Sequence, residues 1–236
     1  MIAGVDGCKR GWMVAQSKGW PPQEAPALAV LPGFRAVLHA TQACDIVVVD
    51  MPIGLPDTGC RACDQEAKRY LGSRGQNRVF YAPPRPTLRA AGRDDFAARL
   101  QAAQGNRQGI SQAFGLLAKL REVDAAMMPD VQGRVREFHP ELAWRHLAGH
   151  TLASKKHSAA GPLERLRLLR HLVPGLDDLD TAYPEAAGAA ALDDVLDALV
   201  GLWVAATIAA GGKDARRLPA EPPPVDARGL RMEIWF

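Results

Sequence analysis

The stretch IAGVDGCKRGWMVA, residues 2–15, decides the fold class. Its apolar runs 2–6 and 12–15 flank the glycine-bounded turn 7–11, a pattern that predicts a β-hairpin. Further along the chain, the run DIVVVD at 45–50 is continuously β-branched between its two acids. Such a run is typical of a strand buried in the centre of a parallel sheet. The sequence therefore predicts a sheet that mixes antiparallel and parallel pairs.

The rest of the chain adds helices around that sheet. Pro140 suits the first turn of a helix and Gly149 suits its end. Gly211 and Gly212 end the longest apolar helix in the same way. The expected strands are 27–31, 134–139 and a closing strand within 230–236, and the expected helices are 34–43, 63–71, 94–103, 111–128, 140–148, 163–172 and 186–210.

This order of elements predicts an α/β fold with a mixed sheet flanked by helices. We interpret residues 1–236 as a single domain, with the proline- and glycine-rich segment 55–130 as a helical, arginine-rich insertion within it. No window reaches the roughly 18 uninterrupted apolar residues of a membrane span. Because no signal peptide is recognisable at the N-terminus, a cytoplasmic location is expected.

Two acids stand where apolar strands are expected to end. Asp6 ends the first strand and Asp50 ends the β-branched run. In open α/β sheets, ligands bind in the crevice at the carboxyl ends of the strands, so two acids at that edge are candidates for one shared site. A single acid there is often a turn or cap residue, but the pair favours a functional role.

Three further acids form a stripe on the long helix. At 100° per residue, Asp193, Asp194 and Asp197 share one face with small residues such as Ala198 and Gly201, which permit close packing. Since no cation follows these acids until Lys213, a bound metal ion would compensate their charge. Complementarity with the helix dipole, or a salt bridge, is the alternative. Carboxylates without clustered cysteine or histidine favour Mg²⁺ or Mn²⁺ over zinc.

A third group of polar residues surrounds Pro140. Alternation places Glu137 and His139 on one face of a strand, and Glu141 falls in the first turn of the following helix. His139 is a candidate general acid or base, although a single strand histidine is more often structural. Capping and dipole complementarity alone also explain Glu141. The C-x-x-C of Cys60 and Cys63 has no second ligand pair and does not predict a zinc site.

Basic residues are concentrated although the formal net charge is only +3. Seven of them and no acid lie between Glu66 and Asp94. The forked guanidinium groups of Arg74, Arg78 and Arg85 suit phosphate oxygens, with a solvated surface as the alternative. Lys155 and Lys156 are candidates for binding phosphate oxygens as point charges. A general contribution to solubility explains their presence equally well.

Several motifs together resemble a bacterial family of unknown function whose members are described as predicted RNase H-like nucleases. They are spread over essentially the whole chain. The motifs are GVDGC at 4–8 with Gly11-Trp12, VDMPIGL at 49–55, Arg61-x-Cys63-Asp64, Leu71-Gly72-x-Arg74, Glu137-x-His139-Pro140-Glu141, Ser154-Lys155-Lys156, Asp193-Asp194-x-x-Asp197-Ala198 and GLRMEIW at 229–235.

The resemblance implies a ribonuclease H-like core similar to that of Holliday-junction resolvases. In such a core, acids from the first strand, the fourth strand and the last core helix bind divalent metal. Matched position by position, these acids are Asp6, Asp50 and either Asp194 or Asp197. The second acid is commonly glutamate in resolvases, and Asp50 is one methylene shorter.

From these residues we expect a Mg²⁺- or Mn²⁺-dependent nuclease, a hydrolase that cleaves the phosphodiester bonds of DNA or RNA. One alternative is a non-catalytic protein with the same fold that binds nucleic acid or nucleotides. A phosphotransferase of the actin and sugar-kinase type is a further alternative, but such enzymes generally need two domains with glycine-rich phosphate loops, and 236 residues leave no room for both.

Overall fold

A computed structural model describes residues 1–105, 109–154, 158–176, 188–211, 214–220 and 222–236. The chain divides into two compact units. The first unit contains Met1–Asp50, Arg134–Arg216 and Trp235–Phe236, and the second contains Met51–Gly133 and Arg217–Ile234. The segment 55–130, expected as an insertion, therefore lies in the second unit, together with part of the C-terminal segment.

A five-stranded mixed sheet forms the centre of the first unit. Its order is β3-β2-β1-β4-β5, with antiparallel pairs from β1 to β3 and parallel pairs from β1 through β4 to β5. The strands are β1 (Ile2–Cys8), β2 (Gly11–Ser17), β3 (Ala27–Leu31), β4 (Ile46–Val49) and β5 (Val135–Glu137). The expected mixed α/β fold is confirmed.

The hairpin is longer than the pattern predicts. Cys8 pairs with Gly11, so only two residues remain in the turn. Gly11 has a φ of 138°, which a residue with a side chain rarely adopts. The β-branched run behaves as expected, because Val47, Val48 and Val49 are completely buried between neighbours on both sides. Apolar strands thus occupy the centre of the sheet.

Four described helices belong to the first unit: α1 (Phe34–Ala40), α6 (Pro140–Ala148), α7 (Ala160–Leu169) and α8 (Leu192–Ala209). The predicted bounds of α6 are confirmed at both ends, with Pro140 in the first turn and Gly149 in the left-handed conformation after the last. By contrast, α8 begins at Leu192 instead of Ala186, since Ala191 has extended backbone angles. Residues 186 and 187 lie outside the described residues.

Helix α8 packs directly on the sheet through its small residues. A Cβ added to Gly4 would lie 2.1 Å from the backbone oxygen of Ala198, and one added to Gly201 would lie 2.9 Å from the Cα of Gly4. The two backbones therefore approach as closely as glycine permits. This contact fixes which residues of α8 face β1.

The second unit is mainly helical. Its helices are α2 (Ala62–Gly75), α3 (Arg93–Gln104), α4 (Ile110–Gly115) and α5 (Leu117–Ala126). The expected single helix 111–128 is instead two helices, separated at Leu116. Phe96, Leu100 and Leu117 bury their side chains in a small core. Strand β6 (Arg217–Leu218) forms a two-stranded sheet with β7 (Ile234–Trp235), which lies within the expected closing strand.

No described helix combines the length and the apolar character that crossing a membrane requires.

Candidate active site

The two strand acids occupy neighbouring positions in the sheet. The parallel ladder between β1 and β4 ends with Val5 opposite Val49, and the backbone N–H of Asp50 donates to the carbonyl oxygen of Val5 at 2.9 Å. Asp6 and Asp50 are therefore the next residues on adjacent parallel strands. Because β1 continues to Cys8 in its hairpin with β2, Asp6 is not the last residue of its strand. The parallel ladder, however, ends at Val5.

Asp6 lies on the sheet face that carries α8. Gly4 contacts α8, and Asp6 follows it by two residues in the same strand, so the two share a face. Val48, two residues before Asp50, also faces α8, since its Cγ2 would lie 3.2 Å from a Cβ at Gly201. Asp6 is buried, and its Oδ1 accepts a hydrogen bond from the backbone N–H of Gly7 at 2.8 Å.

The direction of α8 follows from its contacts with α6. Helix α6 starts just beyond the carboxyl end of β5 and leads away from it. Trp144 contacts Asp197, and farther along α6 His146 packs edge-on against Trp203 at 5.2 Å between ring centroids. Both helices thus proceed in the same direction. The N-terminal half of α8 therefore contacts α6 at Trp144, and its C-terminal half contacts α6 at His146.

The acids of α8 differ in their surroundings. Asp197 is only 2 % exposed, and its Oδ1 accepts a hydrogen bond from the indole N–H of Trp144 at 2.7 Å. Asp193 and Asp194 are half-buried in the first turn, where their charge complements the helix dipole. The Oδ2 of Asp194 also accepts a hydrogen bond from the backbone N–H of Ala191 at 3.4 Å.

The polar residues around Pro140 are engaged within the first unit. His139 caps α6, since its Nδ1 accepts a hydrogen bond from the backbone N–H of Glu141 at 3.2 Å. The carboxylate of Glu141 forms a buried ion pair with Arg165 on α7. Glu137 pairs with Val49, so by alternation it lies on the opposite sheet face from Asp6. A general acid or base role for His139 or Glu141 stays a prediction.

The basic candidates differ in their exposure and in their contacts. Arg74 is exposed and Arg78 half-buried. Arg85 forms ion pairs with both Asp124 and Asp226, and Lys68 donates to the carbonyl oxygens of residues 76 and 79. Burial lowers the pKa of the Lys68 amine. Lys155 and Lys156 lie outside the described residues.

In the second unit, Cys63 of the C-x-x-C pair is buried with Arg61 and Asp64, and Cys60 is half-buried. Arg61 and Asp64 make a double contact, with Nη2 to Oδ1 at 2.5 Å and Nε to Oδ2 at 3.1 Å. Both cysteines are free thiols. Burial raises the pKa of the Cys60 thiol and the negative charge of Asp64 raises it further, so the protonated form is favoured at neutral pH.

The acids meet the requirements of a metal ion only in part. Among the described residues, no group of three or more histidine, cysteine, aspartate or glutamate side chains could hold a metal ion. Asp6 and Asp50 nevertheless stand side by side at the end of the parallel ladder. Mg²⁺ is often bound by one or two carboxylates plus substrate phosphates and water.

Sequence reasoning missed Trp144 and Arg165, which connect Glu141 with Asp197. One signal was available for Trp144, because Glu141 and Trp144 are three residues apart on α6 and share a face. Arg165 lies within a leucine- and arginine-rich helix, and its pairing partner depends on how α6 and α7 pack. No periodicity reveals that packing.

Comparison with known proteins identifies the family. A family model described as "Protein of unknown function (DUF429)" matches residues 4–223, which include the strand acids and the whole of α8. No curated protein and no solved structure matched the chain. Since the match extends over nearly the whole chain, this protein belongs to the DUF429 family.

Proposed function

We propose that this protein is a nuclease that hydrolyses phosphodiester bonds in DNA or RNA with Mg²⁺ or Mn²⁺. The observation that carries the proposal is the position of Asp6 and Asp50 on adjacent parallel strands at the end of their ladder. Ligands of α/β sheets bind at that edge. Two carboxylates placed side by side repel each other, and a divalent cation relieves that repulsion.

Asp6 and Asp50 would hold the metal ion, and Asp194 or Asp197 on α8 would be the third acid that the resemblance implies. Such an ion, when bound, activates water and neutralises charge on the phosphodiester. The buried position of Asp6 limits access of water to its carboxylate, which strengthens its attraction for a cation. The resemblance to RNase H-like nucleases supports the same assignment.

Nucleic acid would be held through its phosphates. Exposed Arg74 can offer guanidinium donors to phosphate oxygens, and half-buried Arg78 is the second candidate. The guanidinium of Arg85 is already bound by Asp124 and Asp226, so we assign it to the structure of the second unit. Phosphate contacts of this kind add salt-dependent affinity and little sequence selectivity.

The second candidate function is nucleic-acid binding without catalysis. It is favoured by the lack, among the described residues, of a three-ligand group for a metal ion. The two functions differ in one result, which is metal-dependent cleavage.

The test is cleavage of end-labelled DNA and RNA oligonucleotides by the wild type and by Asp6→Asn, with Mg²⁺, with Mn²⁺ and with chelator. Asp130→Asn, which changes an exposed acid of the second unit, is the matched control. The nuclease proposal expects cleavage by the wild type and the control, and none by Asp6→Asn. Binding of the oligonucleotides without cleavage by any variant would support the binding protein instead.

A further inference from the structure

Strand β3 forms one edge of the five-stranded sheet and carries no charge. Among the strands that the structure describes, it pairs only with β2, and the ladder between them runs without a bulge. Its residues, ALAVL at 27–31, are all apolar, and Ala27 and Ala29 are exposed. Edge strands are usually protected by charges, by proline or by a bulge. Proline stands here only outside the strand, at Pro26 and Pro32.

We propose that this edge is a self-association surface, on which β3 of a second copy of the chain pairs antiparallel with β3 to form a dimer with one continuous sheet. The inference is independent of the proposed function, since β3 carries none of the residues assigned to cleavage or to phosphate binding. An uncharged strand edge binds an extended backbone, and β3 of a second copy is such a backbone. The same edge is used in both copies, so the assembly closes at two.

Full overlap of the two strands sets the register. It places Ala29 opposite Ala29 of the second copy, Leu28 opposite Val30, and Ala27 opposite Leu31. Backbone groups point outward at every second residue, and facing residues in this register differ by an even number of positions, so donors of one strand meet acceptors of the other. Leu28 and Val30 are half-buried, and as a cross-strand pair they would cover each other's remaining apolar surface.

Charges next to the strand favour the antiparallel orientation. Glu24 precedes β3 and Arg35 follows it, and both side chains are exposed. Antiparallel pairing brings Glu24 of each copy toward the end of the other strand that leads to Arg35, whereas parallel pairing would set like charges side by side. Glu24 is 3.9 Å from Lys18, and both side chains are more than four-fifths exposed, so this contact is too weak to hold Glu24.

The size of the contact sets its expected strength. Five residues of each β3 form its centre. Pro26 and Ala27 also line a cavity of about 540 Å³ beside the start of the strand, and the proposed register brings Leu31 and Pro32 of the second copy next to these two residues. Interfaces below about 1,200 Å² are typical of weak and transient association. We therefore expect a reversible dimer with a dissociation constant in the micromolar range.

The test is sedimentation-velocity ultracentrifugation from about 1 µM to about 300 µM protein, which brackets a micromolar dissociation constant. Ala29→Lys adds a charge that water solvates in the monomer, because Ala29 is exposed, but two such charges face each other in the dimer. Ala29→Glu does the same with the opposite sign. Ala102→Lys, the same substitution at an exposed position of α3, is the matched control. Circular dichroism establishes that each variant is folded.

We expect the wild type and Ala102→Lys to dimerise with the same dissociation constant. Ala29→Lys and Ala29→Glu are each expected to raise that constant about tenfold or more, because like charges directly opposite on paired strands repel each other. An equimolar mixture of the two charged variants is expected to recover the dimer, since lysine then faces glutamate. If Ala29→Lys does not fold, Ala29→Glu alone decides whether the edge is the interface.

Three results overturn the proposal. A wild type that sediments as a monomer over the whole concentration range would show that the edge does not associate with itself. Dimers of unchanged strength in both charged variants would place the interface elsewhere on the molecule. Failure of the mixed charged variants to recover the dimer would contradict the antiparallel register in which Ala29 faces its own copy.

Discussion

Gly4 sets the distance between β1 and α8 at the scale of a single residue. An added Cβ would lie 2.1 Å from the backbone oxygen of Ala198, and backbone cannot move aside as a flexible side chain can. We therefore expect Gly4→Ala to lower the free energy of unfolding by at least about 1–3 kcal/mol, the usual cost of overpacking a core. Urea denaturation measures this loss.

Gly115→Ala is the matched control for that substitution. No atom lies within 4 Å of the added Cβ, and Gly115 ends helix α4. Alanine is favoured over glycine in a helix, so the control is expected to leave stability unchanged or raise it by up to about 1 kcal/mol. Equal stability of Gly4→Ala and the wild type would contradict the close approach of α8.

His146 links stability to pH. Burial lowers the pKa of its imidazole, and the positive charge of Arg216 lowers it further. Below the ordinary histidine pKa of about 6.5, the unfolded chain therefore binds a proton that the folded chain resists. The stability that His146 contributes is fully present above that value and is lost as the pH falls toward the lowered pKa.

His146→Gln removes this titration. Between about pH 7.5 and about pH 5.5, the free energy of unfolding of the wild type is expected to fall more than that of the variant. Urea denaturation of both proteins at the two pH values gives the comparison. A parallel fall in both would show that His146 does not carry the pH dependence.

At the scale of elements, Asp226 connects the C-terminal segment of the second unit to its other parts. Its buried carboxylate accepts hydrogen bonds from the backbone N–H groups of Leu55, Arg228 and Leu230, at 2.8 to 3.0 Å, and forms an ion pair with Arg85. Removing one partner of a buried ion pair costs roughly 3–5 kcal/mol.

Asp226→Asn is therefore expected to destabilise the protein by roughly 3–5 kcal/mol, while Asp130→Asn, at an exposed position, changes stability by less than about 0.5 kcal/mol. Thermal unfolding followed by circular dichroism distinguishes the two. If both variants have the same melting temperature as the wild type, the hydrogen bonds of Asp226 do not stabilise the second unit.

Elements with local boundary signals were predictable from the sequence. Pro140 and Gly149 delimit α6 because the backbone preference of each residue by itself favours the helix end at which it stands. The bounds of β3 were also predicted to the residue. The start of α8 was not predictable from the sequence. The alanines before Leu192 suit a helix, and only the surrounding structure makes the backbone of Ala191 extended. Tertiary context overrides helix propensity at such positions.

The candidate site was predictable to a similar extent. Asp6 and Asp50 were candidates for one shared site on the condition that their strands are parallel neighbours, and β1 and β4 are. Two contacts depend on the packing of three helices: the hydrogen bond from Trp144 to Asp197 and the ion pair of Arg165 with Glu141. Sequence spacing within one helix carries no information about partners on another.

For the whole molecule, the proposed function predicts that basic residues of the second unit set how binding of nucleic acid responds to salt. Each phosphate contact that is lost lowers the slope of log affinity against log salt by about one. We expect Arg74→Gln and Arg78→Gln each to do so, whereas Arg170→Gln, at an exposed position of the first unit, does not.

Fluorescence anisotropy with a labelled single-stranded DNA oligonucleotide, in chelator so that no metal-dependent cleavage occurs, gives these slopes. Identical slopes for the three variants would show that binding depends on charge in general. A reduced slope for Arg170→Gln alone would place the nucleic-acid surface on the first unit.

The most direct test of the central claim is a crystal structure of the protein soaked in MnCl₂, with anomalous scattering data collected at the manganese edge. We expect an anomalous peak within coordination distance of both Asp6 and Asp50, and no such peak in crystals of Asp6→Asn. Well-occupied manganese elsewhere, with none at these two carboxylates, would contradict it.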